Sequence, residues 1–203
     1  GTLAEQVIQQ RQDSFKRRSA LDMVRWLAHR YGFGTYIHFI KGYLNEETKK
    51  ESDEVRKRLI NLADGLQSKV YVDTIISPSY TSAIAQGIQL PGISGKGNNV
   101  ILFEYNREHL ENLNQMIENF SLLKAADLDI CLLQSTLRGF GYHRQIHLWI
   151  TSSDYENANL IILLGYILLG HPDWSKGSIS VYSIHNDDDK EQKEERLNNL
   201  IRT

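Results

Sequence analysis

The sequence predicts an α/β fold with a mostly parallel sheet and helices on both of its faces, a doubly wound arrangement. Predicted strands alternate with predicted helices almost throughout, and most strands are continuous apolar runs, which is typical of strands buried on both faces. The apolar run Leu160–Leu169 lies between the strand-like segments Gln145–Ile150 and Ser178–Ser183. That run is about half of the roughly 20 residues that a membrane-spanning helix needs. We therefore expect it to form a helix buried on most of its faces.

Apolar residues at helical spacing and helix-capping residues place the elements before residue 135. Asp13 or Ser14 can cap a helix that runs to Arg30, and Asn45 can cap a second helix. Pro78 is tolerated in the first turn of a helix and fits the start of a third. The helices are predicted at 13–30, 45–66, 79–89 and 107–126, and the strands at 35–43, 69–77, 100–105 and 128–134.

The chain contains one pair of consecutive strands without space for a crossover helix. Leu128–Gln134 and Gln145–Ile150 are separated by ten residues, whereas parallel neighbours need a dozen or more. The second strand therefore runs antiparallel or begins a second half of the sheet. We predict one domain over residues 1–203, or two halves of about 1–135 and 136–203 that share a sheet, with a last helix over Asp187–Arg202.

Composition excludes several classes of protein. A net charge of −2 over 203 residues gives no whole-chain case for nucleic-acid binding, for which a basic surface would be expected. The single cysteine, Cys131, cannot form an internal disulfide, lies in an apolar run and is expected to be a small buried hydrophobe. The N-terminus lacks the basic and apolar regions of a signal peptide, and Gly1-Thr2 fits an excised fragment of a longer chain.

Motifs for catalysis or metal binding are not found in the sequence. Gly92–Gly97 resembles a phosphate loop, but it precedes a strand and lacks the hydroxyl residue after its lysine. The seven histidines show no metal-ligand spacing, and no Gly-x-Ser-x-Gly elbow occurs. Asp187–Asp189 is either a cation ligand set or, the favoured interpretation, the negatively charged start of the last helix. We expect no enzyme activity and no metal.

One compact basic cluster is a candidate for anion binding. Lys16, Arg17 and Arg18 lie in the first turn of the first predicted helix, where positive charge opposes the helix dipole. Together with Ser14, they are candidate ligands of a phosphate, an acidic lipid head group or an acidic partner. The alternative, which we favour, is a solvated basic face.

Several segments resemble the C-terminal cytosolic domain of cation–chloride cotransporters. The segments are Ile146–Ile150, the helix with Tyr166–Leu169, the turn Trp174–Lys176 and the strand Ile179–Val181. Asn99–Phe103 is similar to an Asn-Ile-Leu-Val-Val strand of that family, and Ala20–Tyr43 to its first helix and second strand. The long regulatory insertion of animal members would fall near Ser135–Gln145, which is short here, so the resemblance indicates a compact prokaryotic relative.

The resemblance implies a non-catalytic regulatory and dimerisation domain at the cytoplasmic face of the cell membrane. Its partners would be the transmembrane domain of its own transporter, which moves chloride with sodium or potassium, and a second copy of itself. The aromatic residues Trp26, Tyr31, Phe33, Tyr142 and Trp174 are candidates for the core, which is favoured, or for a dimer interface.

An alternative function is a soluble nucleotide- or anion-binding protein, because the family domain is similar in fold to universal stress proteins. Ligands of such sheets bind beyond the carboxyl ends of the strands. The strand-end candidates are Ser77, Pro78, Ser79, Asn106 and Arg107, and ATP would be the first ligand to test. No glycine-rich fingerprint follows the first strand.

Overall fold

The computed structural model describes residues 19–30, 32–66, 70–90, 97–107, 110–136, 138–184 and 190–202. Contacts within the chain define two compact units, residues 1–139 and residues 140–203. Each unit combines helices with parallel strands, so the predicted α/β class is confirmed.

The first unit contains two strand pairs and five helices in its described part. Its helices are α1 (Ser19–Leu27), α2 (Glu46–Gly65), α3 (Tyr80–Gly87), α4 (Leu110–Glu118) and α5 (Phe120–Ala125), and its strands are β1 (Gly34–Lys41), β2 (Val70–Ser77), β3 (Val100–Tyr105) and β4 (Asp129–Gln134). Strand β1 pairs with β2 in parallel, from Gly34 opposite Val70 to Lys41 opposite Ser77. Strand β3 pairs with β4 in the same sense.

The second unit contains β5 (Gln145–Ile150), α6 (Ala158–Leu169), β6 (Ser178–Ser183) and α7 (Lys190–Arg202). Strands β5 and β6 pair in parallel, with α6 as the crossover between them. The described strands therefore form three separate parallel pairs. The parallel pairing agrees with the prediction, whereas the single doubly wound sheet is not confirmed.

A complete capping box fixes the start of α2, as predicted from Asn45. The Asn45 side chain accepts a hydrogen bond from the Thr48 backbone N–H at 2.9 Å, and the Thr48 hydroxyl accepts one from the Asn45 N–H at 3.0 Å. Each bond satisfies a backbone donor that has no partner within the helix.

Replacing Asn45 with alanine should lower the free energy of unfolding by about 1 kcal/mol, because the Thr48 N–H loses its acceptor. Urea denaturation followed by far-UV circular dichroism measures this change. Asn45→Asp is the matched control, since its carboxylate can accept the same hydrogen bond, and it should retain most of the stability. Equal losses in both variants would contradict the capping role.

The core of the first unit includes a cluster of buried apolar side chains from α3, β3, α4 and α5. Its members are Ile84, Phe103, Met116 and Leu123. Tyr80 contacts rings on both strand pairs, with centroids 5.7 Å from Phe39 and 6.3 Å from Phe103. Tyr80 therefore joins the β1–β2 pair to the β3–β4 pair, and burial raises its pKa to about 12.

The predicted helix over residues 107–126 is interrupted at Asn119, which corrects that prediction. Asn119 is buried, and its side-chain amide donates to the Gln115 carbonyl at 2.7 Å. Asparagine competes in this way with the backbone pattern of a continuous helix. The chain consequently forms the shorter helices α4 and α5.

Helix α6 is helical as predicted, but it is not buried on most faces. Its inner face packs against β5, where a Cβ on Gly165 would lie 3.0 Å from Leu148 Cδ1. Its outer face exposes 54% of Leu163 and 55% of Tyr166. None of the described helices combines the length and the apolar character needed to cross a membrane.

Candidate functional site

The strand-end candidates Ser77 and Ser79 both accept hydrogen bonds from nearby backbone N–H groups. The Ser77 carbonyl accepts a hydrogen bond from the Gly42 N–H at 2.9 Å, and the whole residue is 0% exposed. Its hydroxyl finds no hydrogen-bond partner among the described residues. The Ser79 hydroxyl caps α3 by accepting from the Ser82 N–H at 3.1 Å. Ser77 does not reach solvent, whereas the candidates Pro78 and Ser79 are both exposed at the end of β2.

Of the remaining candidate ligand-binding residues, some are described by the structure and others lie outside the described residues. Asn106 is buried after β3, and Arg107 is exposed beside it. The basic cluster of Lys16, Arg17 and Arg18, with Ser14, lies outside the described residues, as does Asp187–Asp189. Much of the glycine-rich loop, residues 91–96, lies outside them as well.

A surface groove of about 560 Å³ lies between α2 and β2. Its lining includes a hydroxyl pair, Ser52 and Thr74, whose oxygens are 2.7 Å apart. Lys49 and Arg56 also line it, but both pair with Asp53, at 2.9 and 3.4 Å. The hydrogen bond from Lys49 is the main reason that the Asp53 pKa is lowered. Glu46 and Asp73 also line the groove, so its two cationic side chains are matched by two carboxylates and the described lining has no net positive charge for an anion.

A partly buried carboxylate connects α1 to β3. Glu104 Oε2 accepts a hydrogen bond from the Ala20 backbone N–H at 3.0 Å. Its other oxygen, Oε1, is buried and has no hydrogen-bond partner among the described residues. Burial, together with the negative charge of Glu104, raises the pKa of Tyr36 to about 12. The tyrosine therefore stays a neutral phenol at physiological pH, and the carboxylate fixes α1 in place.

His38 is a partly buried strand histidine with an altered pKa. Burial lowers its pKa, and the nearby charge of Glu51 opposes that effect. The folded state therefore disfavours the imidazolium. In the unfolded chain the ring has a pKa of about 6.5, and in the folded chain its pKa is lower. The contribution of His38 to stability is therefore complete above the unfolded pKa and is lost as the pH falls through the folded pKa.

His38→Gln should reduce the loss of stability on acidification from pH 7 to pH 5, because it removes a group that takes up a proton on unfolding. Urea denaturation at several pH values measures the slope. Thr35→Ala, which changes an exposed residue of the same strand without a titratable group, is the control and should keep the wild-type slope. An unchanged slope in His38→Gln would show that this ring does not contribute.

The structure also describes the surroundings of Cys131 and His171. Burial, with a contribution from the charge of Asp129, raises the Cys131 pKa, so the protonated thiol predominates and is a poor nucleophile. The buried His171 accepts a hydrogen bond from the Asp173 N–H through Nδ1 at 3.1 Å and so caps a short turn. No three metal-ligating side chains come together among the residues that the structure describes.

One face of the second unit is open and aromatic. Along β5 the odd-numbered side chains are exposed and the even-numbered ones are buried. Trp149 stacks on Tyr182 of β6 with ring centroids 4.6 Å apart and an interplanar angle of 17°. His147 contacts the same tyrosine edge-on at 5.2 Å. We call the outward side of β5 and β6 the open face; its residues are Gln145, His147, Trp149, Ser178, Ser180 and Tyr182.

This face was not predicted from the sequence. Trp26 and Trp174, named as core or interface candidates, are buried, while Phe33 and Tyr142 are exposed and Tyr31 lies outside the described residues. The available signal was the strict alternation of polar or aromatic residues with aliphatic ones in Gln145–Ile150, which is typical of a strand with one exposed face.

No protein family model matches the sequence, and no curated protein is significantly similar to it.

Proposed function

We propose that this chain is a non-catalytic cytosolic regulatory and dimerisation domain of a membrane cation–chloride cotransporter. The observation that carries the proposal concerns the strongest segment of the resemblance, Ile146–Val181. This segment forms the strand–helix–strand part of one compact unit, with β5 and β6 in parallel and α6 between them. The motifs in Ile146–Val181 that resemble the cotransporter domain therefore lie together in one strand–helix–strand unit and are not scattered apolar runs.

The side-chain environments add support of a second kind. The polar groups described above satisfy backbone donors, as Asn45, Ser79 and His171 do, or fix a helix, as Glu104 does. Such groups stabilise a scaffold. A scaffold with an exposed aromatic cluster on one face is suited to a binding role within a larger assembly.

The native coding sequence upstream of this chain provides the first test. Several apolar segments of about 20 residues each, ending shortly before this region, are expected of a transporter with this domain as its cytosolic tail. A start codon within a few residues of Leu3 would contradict the proposal. The soluble nucleotide-binding alternative predicts heat release and a raised melting temperature on titration with ATP, and the proposed function predicts neither.

The dimerisation role has its own test on the isolated chain. Sedimentation velocity over a concentration series should show a reversible monomer–dimer equilibrium. A single monomeric species at all concentrations would contradict the dimerisation role. Because this result does not depend on the upstream sequence, the two parts of the proposal can fail separately.

A further inference from the structure

Resting on the proposed dimerisation role, we propose that the open face of β5 and β6 is the surface through which two copies of this chain associate, with the Trp149–Tyr182 stack at its centre.

A parallel strand pair with one bare face is unusual. Parallel sheets are commonly covered on both faces, because their crossover helices lie against them. Here α6 covers the side of Leu148, and the opposite side exposes 54% of Trp149 and 37% of Tyr182. Large aromatic side chains of this kind are enriched at protein interfaces and dominate their binding energy. The stacked pair already holds both rings in a fixed orientation, so little side-chain entropy is lost on association.

The lack of charged side chains on the open face favours a second copy of the chain as its occupant. None of its six residues is Asp, Glu, Lys or Arg, although such residues form 24% of the chain. A strongly charged partner or an anionic lipid surface would be recognised by opposite charges, which this face lacks. A two-fold interface places a patch against itself, so any net charge on it would repel its copy. A face without carboxylate, ammonium or guanidinium groups avoids that repulsion, and its hydroxyl and amide groups both donate and accept, so they can pair with themselves.

A second exposed apolar surface of the same unit provides the internal comparison. Leu163 and Tyr166 are 54% and 55% exposed on α6, the helix that covers the inner side of the strands. These values match that of Trp149, so exposure alone does not separate the two surfaces. The open face differs in presenting two stacked aromatic rings and a third ring in contact with them.

The test compares Trp149→Glu with Tyr166→Glu by sedimentation velocity. We expect Trp149→Glu to raise the dimer dissociation constant by about 30-fold or more, the range of an interface hot spot, because two carboxylates would be buried at the two-fold contact. Tyr166→Glu should change it by less than about threefold. The opposite order of effects would overturn the open face as the interface while leaving the dimerisation role intact. A monomeric wild-type chain would instead contradict the role itself.

Cross-linking provides a measurement that does not depend on a disruptive substitution. In a Cys131→Ser background, Ser180→Cys places a thiol on the open face and Leu163→Cys places one on the outer face of α6. A short bis-maleimide should link two copies through Cys at position 180 and leave the α6 variant monomeric. Cross-linking of the α6 variant alone would overturn the proposal.

Discussion

Trp26→Ala is expected to lower the free energy of unfolding by about 3–5 kcal/mol, the largest effect of any substitution considered. Trp26 is 1% exposed, and its helix α1 contacts β1, β2 and β3. Truncation removes the buried indole and leaves a cavity, because the surrounding elements belong to two strand pairs and relax only partly. Urea denaturation followed by far-UV circular dichroism measures the loss without using the deleted fluorophore.

Trp149→Ala makes the same chemical change at an exposed position and is the matched control. Its side chain is 54% exposed and stacks on Tyr182, so the expected loss is about 0.5–1.5 kcal/mol. Measurement at low protein concentration keeps any effect on association apart from stability. Equal losses in the two variants would contradict the assignment of Trp26 to the core.

Ile150→Ala is expected to lower the free energy of unfolding by about 2–5 kcal/mol. Ile150 is 0% exposed at the end of β5, although it directly follows the exposed Trp149. The prediction follows from the alternation of faces along β5, since the even-numbered side chains point toward the covered side. The lost stability combines the transfer energy of the deleted methyl and methylene groups with the cavity that remains.

Ile184→Ala is the control for this second substitution. Ile184 follows β6 and is 61% exposed, so its truncation should change stability by less than about 0.5 kcal/mol. Both variants should have the wild-type circular dichroism spectrum in the absence of denaturant. A large effect at Ile184 with a small one at Ile150 would reverse the assignment of inner and outer sides in this unit.

Local sequence signals determined much of the secondary structure. Val100–Tyr105, Gln145–Ile150 and Ser178–Ser183 are strands with the predicted bounds, and Asn45 caps α2 as expected. These features depend on interactions within a few residues: side-chain capping of free N–H groups and the apolar character of a strand between turns. Parallel pairing was predicted on a different ground, since strands that alternate with helices have connections long enough for the crossover that parallel neighbours need.

The sequence did not reveal that the predicted helix over 107–126 is interrupted at Asn119. The apolar spacing continues through Asn119, and only the buried amide of that residue, bonded to the Gln115 carbonyl, separates α4 from α5. Burial of a polar side chain depends on its tertiary neighbours, which periodicity does not encode. The same limit applies to Glu104, whose bond to the Ala20 N–H joins residues 84 positions apart.

By itself, the sequence determined the α/β class, the parallel sense of the strands and the positions of most elements, because these depend on local conformation and on which side chains share a face. Only the tertiary structure decided that the described strands form three pairs, that Leu163 and Tyr166 are exposed, and that one side of β5 and β6 is open. The physical reason is that a pattern assigns side chains to faces, whereas the packing of distant segments decides which faces are covered.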